Sequence, residues 1–463
     1  MSAGAVRLPY HPRLAEHALV RRHVIDGEEI VVIHDTRTGD LARTGPREWA
    51  ILAAADGTRD LAGLTLAAAK SGALHRVSEI RGILERLQGM GLLADGVDQP
   101  DPPADPIDRP LSVLPDFSLT CDASGACCGV YGSIVFTPQE AARARTALPL
   151  VRDGGRREAL VFTPEHGTDA SGRLAVALVD NCCAYLGDDG RCGVHAIAGE
   201  GAKPATCRIY PATFVDDGEA VRVSLGVECP CVLDSVGKSG GAPLVTGAAL
   251  RRADLPEGAR VIELPELVAI SDDAFVARDA YVRWSHLLAA QPSPTELVAA
   301  LWSLADAVQA DGLDEDLTLA ALAFPSLPDV NAVLPWILAL ADRAESRVVS
   351  ASAWRGARDR SLVASRAIAA AASSLVDRAA LSAALAAPAP DPVAEAFYLR
   401  AVIHGHQIVG RLPLAAALRD RAVRLLVARA MGALSPSTRR PLTVLEAMMR
   451  GHGVEIYARE VRP

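Results

Sequence analysis

Nine cysteines stand in this 463-residue chain, and all nine fall between Cys121 and Cys231. They come in knots. "CDASGACCG" holds Cys121, Cys127 and Cys128; "NCCAYLGDDGRCGVH" holds Cys182, Cys183 and Cys192; "KPATCRIYP" holds Cys207; "ECPC" holds Cys229 and Cys231. Adjacent cysteines seldom bridge each other, because the small ring strains the peptide and the disulfide geometry alike. They serve better with one or both thiolates aimed at a metal. Thiolate-rich ligation selects zinc or iron, iron–sulfur clusters included, over hard cations. The spacing fits no common zinc finger, since no C-x-x-C pair is followed by another. The pattern predicts a dispersed site that the fold must close. Reduced core cysteines without metal are the alternative, and they leave the crowding of all nine unexplained.

Local signals say which elements would position these sulfurs. The glycines around "GACCG" let the backbone bend closely about an ion. Thr137, Pro138 and Glu140 read as a helix cap, a first helical residue and the reciprocal half of a capping box. "CCAYLGDDGRC" predicts a hairpin turning at Asp189-Gly190 and bringing Cys183 and Cys192 together. Asp188 and Asp189 are read as turn residues. "KPATCRIYP" is about one helical turn, opened by Pro204 and stopped by Pro211. Cys207 would then lie near a helix N-terminus, with backbone N–H groups and Arg208 favouring its thiolate. "TFVDDGEAVRVSL" predicts a second hairpin leading to Cys229 and Cys231.

The chain divides by composition. Residues 1–96 predict a small winged-helix-like domain: a hairpin turning near Thr38-Gly39, three helices and a closing strand. Pro46 and Asp60 start helices, and Ile80, Ile83, Leu84, Leu87 and Met90 share one face of a third. The Pro/Asp-rich stretch 97–110 reads as a stiff linker. Residues 111–242 form the cysteine-rich α+β region, and 250–463 an all-α region rich in alanine and leucine. There a capping box at Ser293, Pro294 and Glu296 opens one helix. The fold class expected is α+β.

A net charge of -9 and the lack of a basic stripe argue against a nucleic-acid partner or an anionic membrane surface. "MSAGAVRLPYHPRL" lacks a signal peptide's apolar core, and no run reaches the roughly 18 apolar residues of a membrane span. The expectation is a cytoplasmic protein, where disulfides are disfavoured and clustered cysteines hold metal or do redox work. His404 and His406, two apart, would diverge on a helix and share no metal.

Two resemblances sharpen this. "HDTRTGDLARTGPREWAILAAADGTRDLAGL" with "VSEIRGILERLQGMGLLADG" resembles the PqqD-like domain, the peptide-recognition element of ribosomal-peptide modification systems. That implies a peptide or protein partner gripped along a strand edge. A winged helix used for packing or dimerisation is the alternative. The second covers the cysteine region: "CDASGACCG…FTPQE…NCCAYLGDDGRCGVH…KPATCRIYP…ECP" looks like the YkgJ-type family of zinc- or iron-chelating cysteine-cluster proteins. It implies metal ligation by Cys121, Cys128, Cys183, Cys192 and Cys207, joined by Cys127 and Cys229. Lys203 stands where the family has arginine, the first motif is widely spaced, and Cys182 and Cys231 are extra, so the ligand set stays open. Arg208 belongs to the matched motif. Tyr210 would cover the cluster or bond a sulfur, and His195 would be a ligand, support one, or pack. The family includes proteins named flagellin lysine-N-methylases, with a similar helical C-terminal part. Membership there implies methyl transfer to a protein lysine and S-adenosylmethionine as donor, although no glycine-rich nucleotide loop follows a strand. Two functions are carried forward: a metal-binding, peptide- or protein-modifying enzyme, and a non-enzymatic peptide-binding adaptor with a structural metal.

Overall fold

The alternating stretch after Gly27 does build a hairpin. Strands Glu28–Asp35 and Leu41–Thr44 pair antiparallel, and Gly39 makes the turn at φ 79°. The computed structural model describes residues 8–25, 28–70, 76–96, 107–122, 134–147, 162–164, 172–179, 182–187, 189–245, 249–256, 259–291, 294, 296–352, 360–410, 412–435 and 440–450. They fall into two compact units. One takes its described residues from 8–96 and 134–208, the other from 107–122 and 209–450. The architecture is α+β, with several small sheets and a run of helices toward the C-terminus.

In the first unit the expected helices form. Pro46–Leu52 has proline in its first turn. Leu61–Lys70 is capped by Asp60, whose carboxylate accepts the Gly63 N–H at 2.8 Å. Val77–Gly89 buries Ile80, Ile83, Leu84 and Leu87. Met90 lies just past that helix end and is 38% exposed, so it is not part of the buried face. Leu93–Asp95 closes against Pro12–Leu14. The core joins Leu14, Val20, Ile33, Trp49, Leu64 and Leu84.

Among the strands that escaped the sequence reading, one is long. Ala18–Ile25 pairs along its whole length with Glu28–Asp35. Its inward-facing set includes Arg22, which is buried and sits 3.2 Å from Glu29. A charge at an inward position hides the period-two signal. This strand also corrects the domain division. His23 and Val24 pair in parallel with Leu178 and Val179, which in turn pair with Cys183 and Cys182. Residues 1–96 are therefore not a domain apart from the cysteine-rich region; five strands drawn from both make one sheet.

In the second unit a four-stranded sheet runs Val261–Glu263, Ala212–Asp216, Val221–Leu225, Leu111–Val113. The central hairpin is the one expected, with Gly218 at φ 95° in its turn. Residues 107–110, read as linker, are anchored here: Arg109 pairs with Asp216 at 2.8 Å and Pro110 bridges to Arg251. The region from 250 is not all helical. Val261–Glu263 completes the sheet, and Leu267–Ala269 pairs with Phe275–Ala277, before helices run from Arg278 to Arg450. Proline and aspartate break that stretch into strands too short for an alternation to register. Ser293 lies outside the described residues, and Glu296 stands at the cap position of Leu297–Asp311 without a side-chain capping bond. Among the described residues no single helix is long and apolar enough to cross a membrane.

Candidate metal centre

Ligand positions in the second unit follow from how its first segment is tied down. After Leu111–Val113 joins the sheet edge, Leu119 and Ala242 exchange two backbone hydrogen bonds of 2.8 Å. The Thr120 N–H then donates to Ser235 Oγ at 2.9 Å, and the Ser235 hydroxyl donates to the Cys231 carbonyl at 2.6 Å. Ser235 thus holds the entering chain and the Pro230–Ser235 helix together. Cys229 is that helix's cap residue, Pro230 occupies the first turn, and Cys231 lies within it.

This arrangement brings Cys121, Asp122 and Cys231 to one place. One ligand atom from each lies within 4.8 Å of the others. Two thiolates about one tetrahedral ion, at 2.3 Å each, would stand roughly 3.8 Å apart, so small rotations suffice. The Asp122 N–H donates to Cys231 Sγ at 3.5 Å, and the Cys231 thiol donates to Asp122 Oδ1 at 3.3 Å. Cys231 and Cys229 are buried, whereas Cys121 and Asp122 are exposed. Burial first of all, with the thiol's bond to Asp122 and the nearby Cys229 and Cys121 adding to it, pushes the Cys231 thiol well above its usual range. A bound cation would take that sulfur as thiolate and release its proton. Two sulfurs and a carboxylate oxygen, with Cys229 adjacent, suit zinc or iron and do not suit a hard oxygen-seeking ion. The group can hold a metal ion; the donor set does not choose between those two.

The remaining described cysteines of the predicted set lie in the first unit. Cys183 is in a two-residue strand, buried beside Phe136, Phe162 and Tyr185. Cys192 stands at the cap position of the Gly193–Ala198 helix and bridges Leu186 across the turn, so the expected turn forms and both cysteines border one small core. The turn itself is as expected: the Arg191 N–H donates to Asp189 Oδ1 at 2.9 Å, and Gly190 has φ 78°. Cys207 rides on the short helix Ala205–Ile209. Its anchor is Glu140, whose two oxygens do separate jobs. Oε2 accepts the Thr137 N–H at 2.9 Å, completing the expected capping box, and Oε1 accepts the Ala205 N–H at 2.7 Å. Among the described residues, no group of three ligand atoms at the 4.8 Å spacing includes Cys183, Cys192 or Cys207. Cys127 and Cys128 lie outside the described residues. His195 and Arg208 are exposed, which removes the reading of His195 as a packing residue. Tyr210 is half-buried against the core of the second unit.

Sequence reasoning missed Asp122 as a ligand and set Cys231 aside as an extra. Both were visible as neighbours of matched cysteines: Asp122 follows Cys121, and Cys231 stands two after Cys229 at the start of a helix opened by Pro230.

The expected peptide-recognition surface lies in the first unit. Leu41–Thr44 is the last strand of its sheet, and the far edge is taken by Leu178–Val179 and Cys182–Cys183. A groove of about 800 Å³ runs beside Tyr10, Leu61, Val77, Arg81 and Leu84. Tyr10 and Val77 are exposed. Set against models of known families, curated proteins and solved structures, the chain matches none.

Proposed function

We propose that this chain is a zinc- or iron-binding cysteine-cluster protein of the YkgJ type that modifies a peptide or protein substrate in the cytoplasm. The observation that carries the metal reading is the meeting of Cys121, Asp122 and Cys231. On the family resemblance, Cys127, Cys128, Cys183, Cys192, Cys207 and Cys229 are further candidate ligands. Support for a peptide substrate comes from the place of Leu41–Thr44 as the last strand of its sheet among the described residues, the kind of position at which strand addition occurs. A protein lysine is the substrate group, with S-adenosylmethionine as methyl donor, on the resemblance to flagellin lysine-N-methylases.

Elemental analysis of anaerobically purified full-length protein tests the first part. Zinc or iron is expected at one equivalent or more, and Cys121→Ala with Cys231→Ala is expected to lower it. Metal-free wild type, or unchanged content in the double variant, refutes the site. Intact-mass analysis of peptides co-expressed with the chain tests the second part, where a gain in methyl-group steps is expected. Tight peptide binding without any mass change would replace the enzyme by an adaptor whose metal is structural.

A further inference from the structure

A second polar centre lies in the same unit, at the other end of the Ala212–Leu225 hairpin from Cys229, about 17 Å of strand away. Asp217 sits in the hairpin turn and is almost wholly buried. Its Oδ1 accepts the Glu219 and Ala220 N–H groups at 2.8 and 2.7 Å. Its Oδ2 receives Arg222 Nε and, at 3.3 Å, His406 Nε2. A carboxylate so supplied with donors only accepts, so Nε2 carries its hydrogen. In the neutral ring that leaves Nδ1 as an acceptor.

His406 is held there at some cost. It follows the Pro392–His404 helix in a Schellman turn: the His406 N–H bonds the Ile403 carbonyl at 3.0 Å and the Gln407 N–H bonds the Val402 carbonyl at 2.9 Å. The left-handed position of that turn, normally glycine, is His406 itself, at φ 50°. Gly405 stands one place earlier, where a Cβ would come within 2.6 Å of the Ser224 Cβ. The strained residue is thus the histidine, and its side chain is what the strain delivers.

That side chain is incompletely satisfied. His406 Nδ1 is buried and has no hydrogen-bond partner among the described residues, and the same is true of the Tyr281 hydroxyl. Both residues are at most 3% exposed, and their rings lie 5.5 Å apart. Two buried polar atoms without partners on neighbouring rings are rare in a folded interior, and the usual remedy is an internal water. A metal ion is a poor fit, because Arg222 already occupies the carboxylate and His404 Nε2 is engaged with the Ser112 carbonyl at 3.0 Å.

We infer that Asp217, His406 and Tyr281 form a buried acid–base site for one amphiprotic guest, a water that accepts from the Tyr281 hydroxyl and donates to His406 Nδ1. Asp217 behind the imidazole fixes its tautomer, as a carboxylate does behind any histidine that must present one chosen nitrogen.

Two readouts on the full chain test this. A crystal structure fine enough to show ordered water is expected to place one peak within hydrogen-bond distance of both atoms. A dry pocket, or the two atoms bonded to each other or to other protein groups, overturns the inference. Tyr281→Phe supplies the sign. Removing a hydroxyl bonded to water is expected to lower the denaturant midpoint. An unchanged or raised midpoint, the outcome of deleting an unpartnered buried hydroxyl, overturns it equally.

Discussion

Single side chains set this protein's response to acid. Burial, followed by Arg222 and the neighbouring His406 and His286, lowers the His404 pKa from 6.5 to about 4, against the help of the Ser112 carbonyl. The unfolded chain binds that proton near pH 6.5 and the folded chain only near pH 4. The contribution is therefore fully present above pH 6.5 and declines as pH falls toward 4, by at most about 3 kcal/mol. His404→Gln should flatten this part of the curve, measured as unfolding midpoints at pH 7.5 and 4.5. An identical pH dependence in variant and wild type would contradict it. Asp217 acts the same way at lower pH: burial opposes its charge, but the bonds from His406, Ala220 and Arg222 prevail and hold its carboxyl far below the usual range. None of this was legible in "VIHGHQ". Spacing two residues apart reads as divergence on a helix, whereas the helix stops at His404 and the following turn carries His406 to Asp217. The cysteines were more legible, because their chemistry travels with residue type alone. Which of them meet was not, since Cys121 and Cys231 are brought together by contacts such as Thr120 with Ser235 that no local pattern announces.

Among the elements, the Pro138–Ala147 helix does more than cap itself. Glu140 is buried, and one carboxylate oxygen serves its own helix start while the other serves the start of the Cys207 turn. Glu140→Ala would leave two N–H groups short of their acceptor, at a cost of about 2 kcal/mol. It should also loosen the turn, so that Cys207 alkylates faster than in wild type when followed by mass spectrometry. Equal rates would show that Glu140 does not hold that segment. The capping box was readable from Thr137 and Glu140 three apart. The second use of the same carboxylate was not, because Ala205 lies 65 residues further on and only the folded chain joins them. Hairpins and capped helices were likewise read well where a turn glycine or a cap residue marked them, as at Gly39, Gly190 and Asp60. Ala18–Ile25 was lost because its inward arginine imitates an exposed position.

For the whole molecule, composition marked one break and missed the return: a boundary between the units falls within 97–110, but the chain comes back to the first unit after Asp122. The proline-rich stretch 97–110 looks like a boundary between independent domains, yet strands from both sides of it share a sheet, and Arg109 and Pro110 are built into the second unit. The cysteine-rich region 111–242 is consequently no autonomous module. Expressed alone, it would lack Ala18–Ile25 as partner for Leu178–Val179, and the Pro392–His404 helix whose Ala401 carbonyl accepts the Ser224 hydroxyl at 2.6 Å. Such a fragment is expected to aggregate. A monodisperse, cooperatively unfolding preparation would refute the division into units described above. The placing of Cys121 and Asp122 has a mechanical corollary. They are the last residues of the second unit before the chain departs for the first, so an ion gripping them against Cys231 would pin the outgoing end of that unit's opening segment, and a chelator would leave that end to fray while the rest of the unit stays folded.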